Sequence, residues 1–282
     1  MSRMILLSDL HLSPTHGFFW ENWRIARDAT NAAAPDLVVI AGDLCIDGPD
    51  SDAEIAFARR AIGGLHGRVH ALPGNHDVGD EPPGQDPDQL VDAPRLARWG
   101  AAFGADRFAI DCGAWRLIGL NSLLLGTGLP EEVAQGTWLD AALADAGDRP
   151  AALILHKPLY LRDPLEAPAN ATTVTPAPRA ALLRQLEDTP VRMIVSGHLH
   201  VHRDLVLDGR RHVWAPALAF VNGPLAGGAP VIGLLAFDFS TEDAQVELLR
   251  PDGLVAHNLA EIKQHGRWKF LRDMPPSPPP EV

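Results

Sequence analysis

Six short apolar runs recur along the chain, and each ends in a small or polar cluster. They are MILLSD (4–9), LVVIAGD (37–43), RVHALPGN (68–75), WRLIGLNS (115–122), AALILHK (151–157) and RMIVSGH (192–198). Runs of this length and composition are typical of buried β-strands. Ala-rich stretches with helical spacing lie between several of them, at 21–33, 53–64, 88–102, 135–147 and 178–187. The alternation predicts an α/β layer fold with two mixed sheets at the centre and helices outside.

After residue 200 the pattern becomes richer in strands. RDLVLDGRRHVWAP predicts a hairpin that turns at Asp208-Gly209, and PVIGLLAFDF and DAQVELLRP predict further strands. With no internal repeat and no clear linker, we expect one domain over 1–273 and a Pro-rich tail at 274–282 that is disordered or extended. The stretches 13–22 and 158–178 predict long loops, which in a compact domain tend to be functional or disordered.

Bulk properties exclude several classes of protein. A net charge of −12 disfavours a general nucleic-acid binder, and two distant cysteines, Cys45 and Cys112, make no disulfide framework. No apolar run is long enough for a membrane helix or a signal peptide, so we expect a cytoplasmic protein without membrane contact. The segment 260–273 predicts a helix whose Ile262, Trp268 and Leu271 pack either at a homodimer contact or on the protein's own core.

Metal-binding residue types stand at the exits of the predicted strands. They are Asp9 and His11 in D-x-H, Asp43 in GD, Asn75, His76 and Asp77 in GNHD, His156, and His198 and His200 in GH-x-H. Ligands on open α/β sheets gather beyond the carboxyl ends of the strands, so these side chains can converge. In D-x-H and H-x-H, both side chains of an extended segment lie on one side. Carboxylates can bridge two cations, and neutral imidazoles suit Zn, Fe and Mn.

Each motif also has a plain structural interpretation. A lone D-x-H or GD is common in proteins that bind no metal, and a histidine on an apolar strand is usually a core residue. All five motifs in this order after five apolar strands favour a metal centre over coincidence. The other histidines have no partner motif; they are at positions 16, 66, 70, 202, 212, 257 and 265.

The ordered set D-x-H, GD, GNHD, H and GH-x-H resembles the calcineurin-like metallophosphoesterase superfamily. SDLHLS and GNHD are similar to its bacterial class III cyclic-nucleotide phosphodiesterase branch, whereas HKPLYLRDP (156–164) departs from the HHPP common there. The resemblance implies a four-layer αββα sandwich and a dinuclear centre of Fe, Mn or Zn. It implies that one metal is bound by Asp9, His11 and His200, that the other is bound by Asn75, His156 and His198, and that Asp43 bridges them.

The resemblance further implies a phosphodiesterase that hydrolyses a small phosphodiester, such as a 3′,5′-cyclic nucleotide, with a metal-activated hydroxide. His76 would contact the phosphate and protonate the leaving oxygen. Asp77 either orients that imidazole or is a turn residue. The alternatives are a phosphomonoesterase, a nucleotide-sugar pyrophosphatase, and a scaffold without turnover, which the complete ligand set disfavours.

The sequence says less about the residues that hold the rest of the substrate. Trp20, close behind the first motif, would either stack on a nucleobase or belong to the core of the following helix, and the core is favoured. His16 and Asn22 are candidates for the same rim. FVNGP (220–224) and the loop 158–178 are further candidates for the rim.

Overall fold

A computed structural model describes residues 2–84, 86–167, 172–241, 243–258, 271 and 274–280. Helices α1–α6 span Trp20–Ala33, Asp52–Ile62, Asn75–Val78, Ala93–Phe103, Pro130–Ala146 and Pro176–Gln185. Strands β1–β13 span Ser2–Leu7, Leu37–Ala41, Val69–Leu72, Phe108–Cys112, Trp115–Gly119, Ala151–Leu155, Val191–Ser196, Arg203–Leu207, Arg210–Trp214, Phe220–Val221, Leu234–Phe239, Ala244–Leu249 and His257–Asn258. Apart from the helix predicted over 260–273, which lies outside the described residues except at Leu271, each predicted strand and helix corresponds to one of these elements, while β4, β10, β13 and the short α3 are additional to the prediction.

Two mixed sheets form the centre of the described part of the chain. Their strand orders are β12-β11-β1-β2-β3 and β4-β5-β6-β7-β9-β8. In the first sheet β1, β2 and β3 run parallel, and in the second β5, β6, β7 and β9 do. The five strands that precede the metal-binding motifs all belong to these parallel sets. Their carboxyl ends therefore meet at one edge of each sheet, where ligands of α/β proteins gather.

Alternate residues of one strand pack into different cores, and this produces the layers. In β1, Met4 and Leu6 belong to the core between the two sheets. Ile5 and Leu7 face the other way, into a core that includes residues of α1, α2 and α4. The outer face of the second sheet packs against α5 and α6, with Leu139 and Leu182 among the contacts. The helix–sheet–sheet–helix order confirms the predicted four-layer sandwich.

The hairpin and the tail show how local sequence sets local structure. β8 and β9 pair antiparallel across a two-residue turn in which Asp208 and Gly209 both have positive φ, as the sequence predicts. The described part of the tail is extended: the Ser277 amide donates to the Thr15 carbonyl at 2.8 Å, and the Gly17 amide donates to the Ser277 carbonyl at 2.8 Å.

The C-terminal segment is described only in part. Leu271 is buried in a cluster with Phe19 and Ile46, so this residue packs on the protein's own core. Ile262 and Trp268 lie outside the described residues, and the homodimer contact stays a prediction. None of the helices in the described ranges combines the length and the apolar character that a bilayer crossing requires.

Candidate metal centre

The strand exits bring all of the predicted ligands together. Two groups of side chains share Asp43: Asp9, His11, Asp43 and His200 form one, and Asp43, His156 and His198 form the other, with the candidate ligand atoms of each group within 4.8 Å of one another. Asn75 Oδ1 lies 3.1 Å from His156 Nε2, beside the second group. His11 Nε2 and His200 Nε2 are 3.3 Å apart although 189 positions separate the residues in the chain. The geometry is that of two adjoining sites with one shared carboxylate.

The backbone at these positions is strained. Five of the predicted ligands have φ in the left-handed region: Asp9 55°, His11 45°, Asp43 53°, His198 70° and His200 56°. Each such conformation costs on the order of 1–3 kcal/mol in a residue with a Cβ atom, and it persists only where surrounding contacts impose it. Those contacts include hydrogen bonds from the Leu10 and His11 amides to the Asp43 carbonyl, at 2.8 and 3.0 Å. The strain is thus concentrated where the cluster forms.

Two glycines make the close approach of the loops possible. A Cβ atom on Gly74 would lie 2.1 Å from Asp43 Oδ1, and one on Gly42 would lie 2.4 Å from His156 Nδ1. Gly42 also has a φ of 94°, which residues with side chains rarely adopt. Any side chain at these positions would displace a predicted ligand.

Hydrogen bonds to backbone carbonyls fix the orientation of two of the histidines. His156 Nδ1 donates to the Ala41 carbonyl at 2.8 Å, and His200 Nδ1 donates to the Phe220 carbonyl at 2.8 Å. A carbonyl accepts only, so each Nδ1 carries a proton and each Nε2 is turned into the cluster. His156 Nε2 lies 3.3 Å from Asp43 Oδ1. This arrangement, with the second ring nitrogen bound to a carbonyl, is usual for histidines that ligate metals.

The charges in the cluster depend on one another. Burial by itself raises the pKa of the Asp9 carboxyl, but His200 and His156 beside it lower that pKa to about 2. Burial lowers the pKa of His156, yet the Asp43 carboxylate raises it further, to about 9. Burial and the neighbouring His156 lower the pKa of His198 to about 3. The buried carboxylates therefore favour positive charge beside them.

The donor set fits metal cations. Asp9 Oδ1 is buried and accepts no hydrogen bond from any described residue, although His200 Nε2 lies 3.2 Å away. A buried carboxylate oxygen without a donor is costly, and a cation between it and the imidazole would satisfy both groups. The mixture of imidazole nitrogens with carboxylate and amide oxygens suits Fe, Mn or Zn.

His76 and Asp77 have separate surroundings. His76 lines the cavity beside the cluster, its ring lies 4.7 Å from the His11 ring, and its Nδ1 donates to the Ile46 carbonyl at 2.8 Å. The Asp77 carboxylate instead accepts hydrogen bonds from the backbone amides of Gly74, Cys45 and Leu44, at 2.8, 2.9 and 3.2 Å. The carbonyl of Ile46, and not Asp77, therefore orients the imidazole, and Asp77 joins two of the loops that carry ligands.

A cavity of about 370 Å³ opens over the cluster. Its walls include Thr172 from the loop 158–178 and Asn222 from FVNGP, as expected for the rim, together with Leu199 and Phe220. The described residues that line it include no Lys or Arg. Among the described residues of this wall, positive charge beside a substrate could therefore come only from the metal centre and His76.

The other predicted substrate-binding residues lie elsewhere. Trp20 is buried against Phe57 in the core, as the favoured alternative had it. Asn22 was the wrong choice, because its amide nitrogen donates to the Leu218 and Val255 carbonyls at 2.8 Å, which ties α1 to later loops. Hydrophobic spacing cannot distinguish such an internal link from a rim residue. His16 lines a different cavity, of about 430 Å³, beside Glu54.

Glu54 is a buried carboxyl that sequence reasoning missed. It accepts hydrogen bonds from Ser13 Oγ at 2.6 Å and from the Ile46 amide at 3.2 Å, and so holds two of the site's loops to α2. Its position within an exposed-looking helical stretch gave no signal of this role. Burial raises the pKa of Glu54 to about 7, despite the opposing hydrogen bonds from Ser13 and Ile46.

This shift predicts a pH-dependent stability difference. A carboxyl with a raised pKa in the folded state destabilises the fold progressively as the pH rises from its unfolded value, about 4.5, through about 7, and the loss is complete above that range. Relative to the Glu54→Gln variant, the natural protein should lose on the order of 3 kcal/mol of unfolding free energy as the pH rises through this range. Urea unfolding of both proteins from pH 4.5 to 8 measures it, with the exposed Glu247→Gln as the control. Parallel stability curves for the natural protein and Glu54→Gln would contradict the role given to burial.

Comparisons with known proteins found relatives over most of the chain. The family model described as calcineurin-like phosphoesterase matches residues 2–202. The chain is 33% identical over 131 residues to a glycerophosphodiester phosphodiesterase, GpdQ, of Enterobacter lignolyticus, a match that covers 44% of this chain and 42% of that protein. It is 27% identical over 226 residues to the 3′,5′-cyclic adenosine monophosphate phosphodiesterase CpdA of Escherichia coli, covering 76% of this chain and 75% of the other.

Solved structures show the same fold. A dimetal phosphatase from Danio rerio superposes with a TM-score of 0.58 at 15% identity, over 88% of this chain and 95% of that one. A purple acid phosphatase from yellow lupin seeds superposes with a TM-score of 0.63 at 13% identity, over 91% of this chain and 52% of that one.

Proposed function

The chain belongs to the calcineurin-like phosphoesterase family, and from that premise we propose that it hydrolyses a small phosphodiester with the help of two first-row metal cations. Family membership makes the protein a phosphoric ester hydrolase and implies a dinuclear divalent centre. The proposal adds the ligand assignment: Asp9, His11 and His200 for one cation; Asn75, His156 and His198 for the other; Asp43 between them. When bound, such cations activate water as a nucleophile and offset the charge of the phosphoryl group.

The charge of the cavity wall is the observation that favours a diester substrate over a monoester. A terminal phosphomonoester is a dianion at neutral pH, and proteins usually grip it with Arg or Lys. The described wall contains neither, and it places Leu199, Phe220 and Leu225 beside the neutral polar groups of Thr172 and Asn222. A singly charged diester with two small alcohol groups suits this wall better. The matches to two phosphodiesterases support the same choice.

His76 is the protein group placed to assist the leaving alcohol. Its Nδ1 is bound to the Ile46 carbonyl, so any contact of the imidazole with a phosphate is made through Nε2. A neutral imidazole with its proton on Nδ1 can only accept at Nε2, whereas the imidazolium can donate there. We infer that protonated His76 hydrogen-bonds the phosphate and passes its Nε2 proton to the leaving oxygen.

A substrate panel on metal-reconstituted protein tests the proposal. Protein saturated with Mn²⁺ should retain two cations per chain after gel filtration, and chelation should abolish turnover. The value of kcat/KM should be higher for bis-p-nitrophenyl phosphate than for p-nitrophenyl phosphate by about tenfold or more, which corresponds to roughly 1.4 kcal/mol of transition-state stabilisation. A glycerophosphodiester and cyclic AMP in the same panel distinguish the substrate classes named for the two relatives. A UDP-sugar tests for pyrophosphatase activity. Preference for the monoester, or no turnover by the fully loaded protein, would overturn the assignment.

A further inference from the structure

Lys157 is a fully buried cation directly after the predicted ligand His156. Its side chain is 0% exposed, and its Nζ lies 2.7 Å from Asp80 Oδ1 and 2.7 Å from Glu81 Oε2. Both carboxyl side chains are 1% exposed. Lys157 stands where the sequence departs from the HHPP pattern, and no step of the proposed reaction uses it. We call Lys157, Asp80 and Glu81 the ion triad.

The ion triad joins two segments that each carry a ligand of the same half-site. Lys157 follows the exit of β6, and its backbone amide is fixed by a hydrogen bond to Ser122 Oγ at 3.0 Å. Asp80 and Glu81 follow α3, the helix that begins with Asn75 and continues with His76. Within the cluster these two segments meet again, at the 3.1 Å contact of Asn75 Oδ1 with His156 Nε2.

The backbone turn that leads into Asp80 and Glu81 is held by close contacts. The chain turns sharply at Gly79, whose φ is 96° and where a Cβ atom would lie 2.5 Å from the Gln89 carbonyl oxygen. Beyond the turn, the Asp80 amide donates to the Gln89 carbonyl at 2.9 Å, and its carbonyl accepts from the Val91 amide at 2.8 Å. The backbone of this segment is therefore fixed at Asp80, and Lys157 lies within hydrogen-bond distance of both Asp80 and Glu81.

Stability alone does not account for such a triad. Desolvation of three ionised groups costs several kcal/mol each, and apolar side chains of the same volume would hold the two segments with equal or greater stability. Charge-assisted hydrogen bonds differ from apolar packing because they define the distance and direction between the segments. What the triad supplies is a fixed geometry between the two ligand-bearing segments.

We propose that the ion triad is a positioning device for the half-site of Asn75, His156 and His198, which sets the metal affinity of that half-site and leaves that of the other unchanged. The proposal rests on the proposed metal centre. Residues that orient ligands through contacts outside the coordination sphere typically change metal affinity by about 10–100-fold when removed.

The test measures metal affinity in proteins that have a single half-site left. His11→Ala removes a ligand of one half-site, and Asn75→Ala removes a ligand of the other. Each is combined with the near-isosteric neutral triad, Lys157→Met with Asp80→Asn and Glu81→Gln, which leaves no unpaired buried charge. Equilibrium dialysis of the full-length proteins against Mn²⁺, with metal analysis, gives the dissociation constants. Circular dichroism shows that each variant is folded.

In the His11→Ala background, the neutral triad should weaken Mn²⁺ binding by about 10–100-fold, whereas binding in the Asn75→Ala background should be unchanged. The matched control is Arg179→Met, because Arg179 is also a fully buried cation but contacts the Leu159 and Glu166 carbonyls instead of a ligand-bearing pair. It should lower the melting temperature and leave both dissociation constants unchanged.

Four outcomes would contradict the proposal. Equal binding with and without the triad overturns it while the metal centre stands. Equal weakening in both backgrounds, or the same weakening by Arg179→Met, reduces the triad to a general contribution to stability and also overturns it. Failure of the natural protein to bind two Mn²⁺ ions overturns the metal centre, and the triad proposal with it.

Discussion

Asp43→Ala should lose both cations and nearly all turnover. The Asp43 carboxylate belongs to both groups of candidate ligands, and its Oδ1 also accepts the His76 amide at 2.9 Å. Its removal takes an anionic ligand from each cation at once, whereas the loss of any other predicted ligand affects one. Metal assistance supplies several kcal/mol of transition-state stabilisation, so we expect kcat to fall by at least about 10³-fold.

Metal analysis of the Mn²⁺-saturated, gel-filtered variant checks the first part of this prediction, and assays at saturating diester check the second. Asp43→Asn keeps the shape of the side chain, so it shows whether the loss follows from charge or from a misfolded loop. The exposed helical Asp28→Ala is the matched control and should keep two cations and full turnover. Retention of two tightly bound cations by Asp43→Ala would refute the bridging role.

The ligand cluster could be predicted because each ligand is marked by the residues next to it in the sequence. Each ligand directly follows an apolar strand, and parallel strands of one sheet end at a common edge. β1 and β7 belong to the two different sheets, and the 3.3 Å contact of His11 with His200 across 189 positions shows that the ligand-bearing edges of both sheets adjoin. The sequence therefore contains the ligand positions motif by motif, and the fold has only to bring the motifs together.

The rest of the site depends on contacts that leave no periodic signal. Asn22 resembles a rim residue in the sequence and is in fact bonded to the distant Val255 carbonyl. The partners of Lys157 lie 76 and 77 positions earlier in the chain. Glu54 lies on a helix whose charge pattern suggests exposure. Long-range partners of single polar side chains are decided by packing, and one sequence does not reveal them.

His76→Ala should keep both cations and lose turnover. The imidazole is anchored by Nδ1 to the Ile46 carbonyl and lines the cavity beside His11. Removal of a general acid typically costs about 10²–10⁴-fold. Metal content should therefore remain at two cations per chain while kcat falls. The control Asn75→Ala removes a proposed ligand and should weaken the binding of one cation.

The size of the loss should depend on the leaving group, and this separates a proton donor from a residue that only holds the loop. p-Nitrophenolate is a weak base that hardly needs a proton as it leaves, so the loss caused by His76→Ala should be smaller on bis-p-nitrophenyl phosphate. An alkoxide must be protonated as it leaves, so the loss on a glycerophosphodiester or a cyclic nucleotide should approach the upper end of about 10⁴-fold. If both substrates suffer equally and one cation is missing, His76 is a metal ligand and the proton must come from another group.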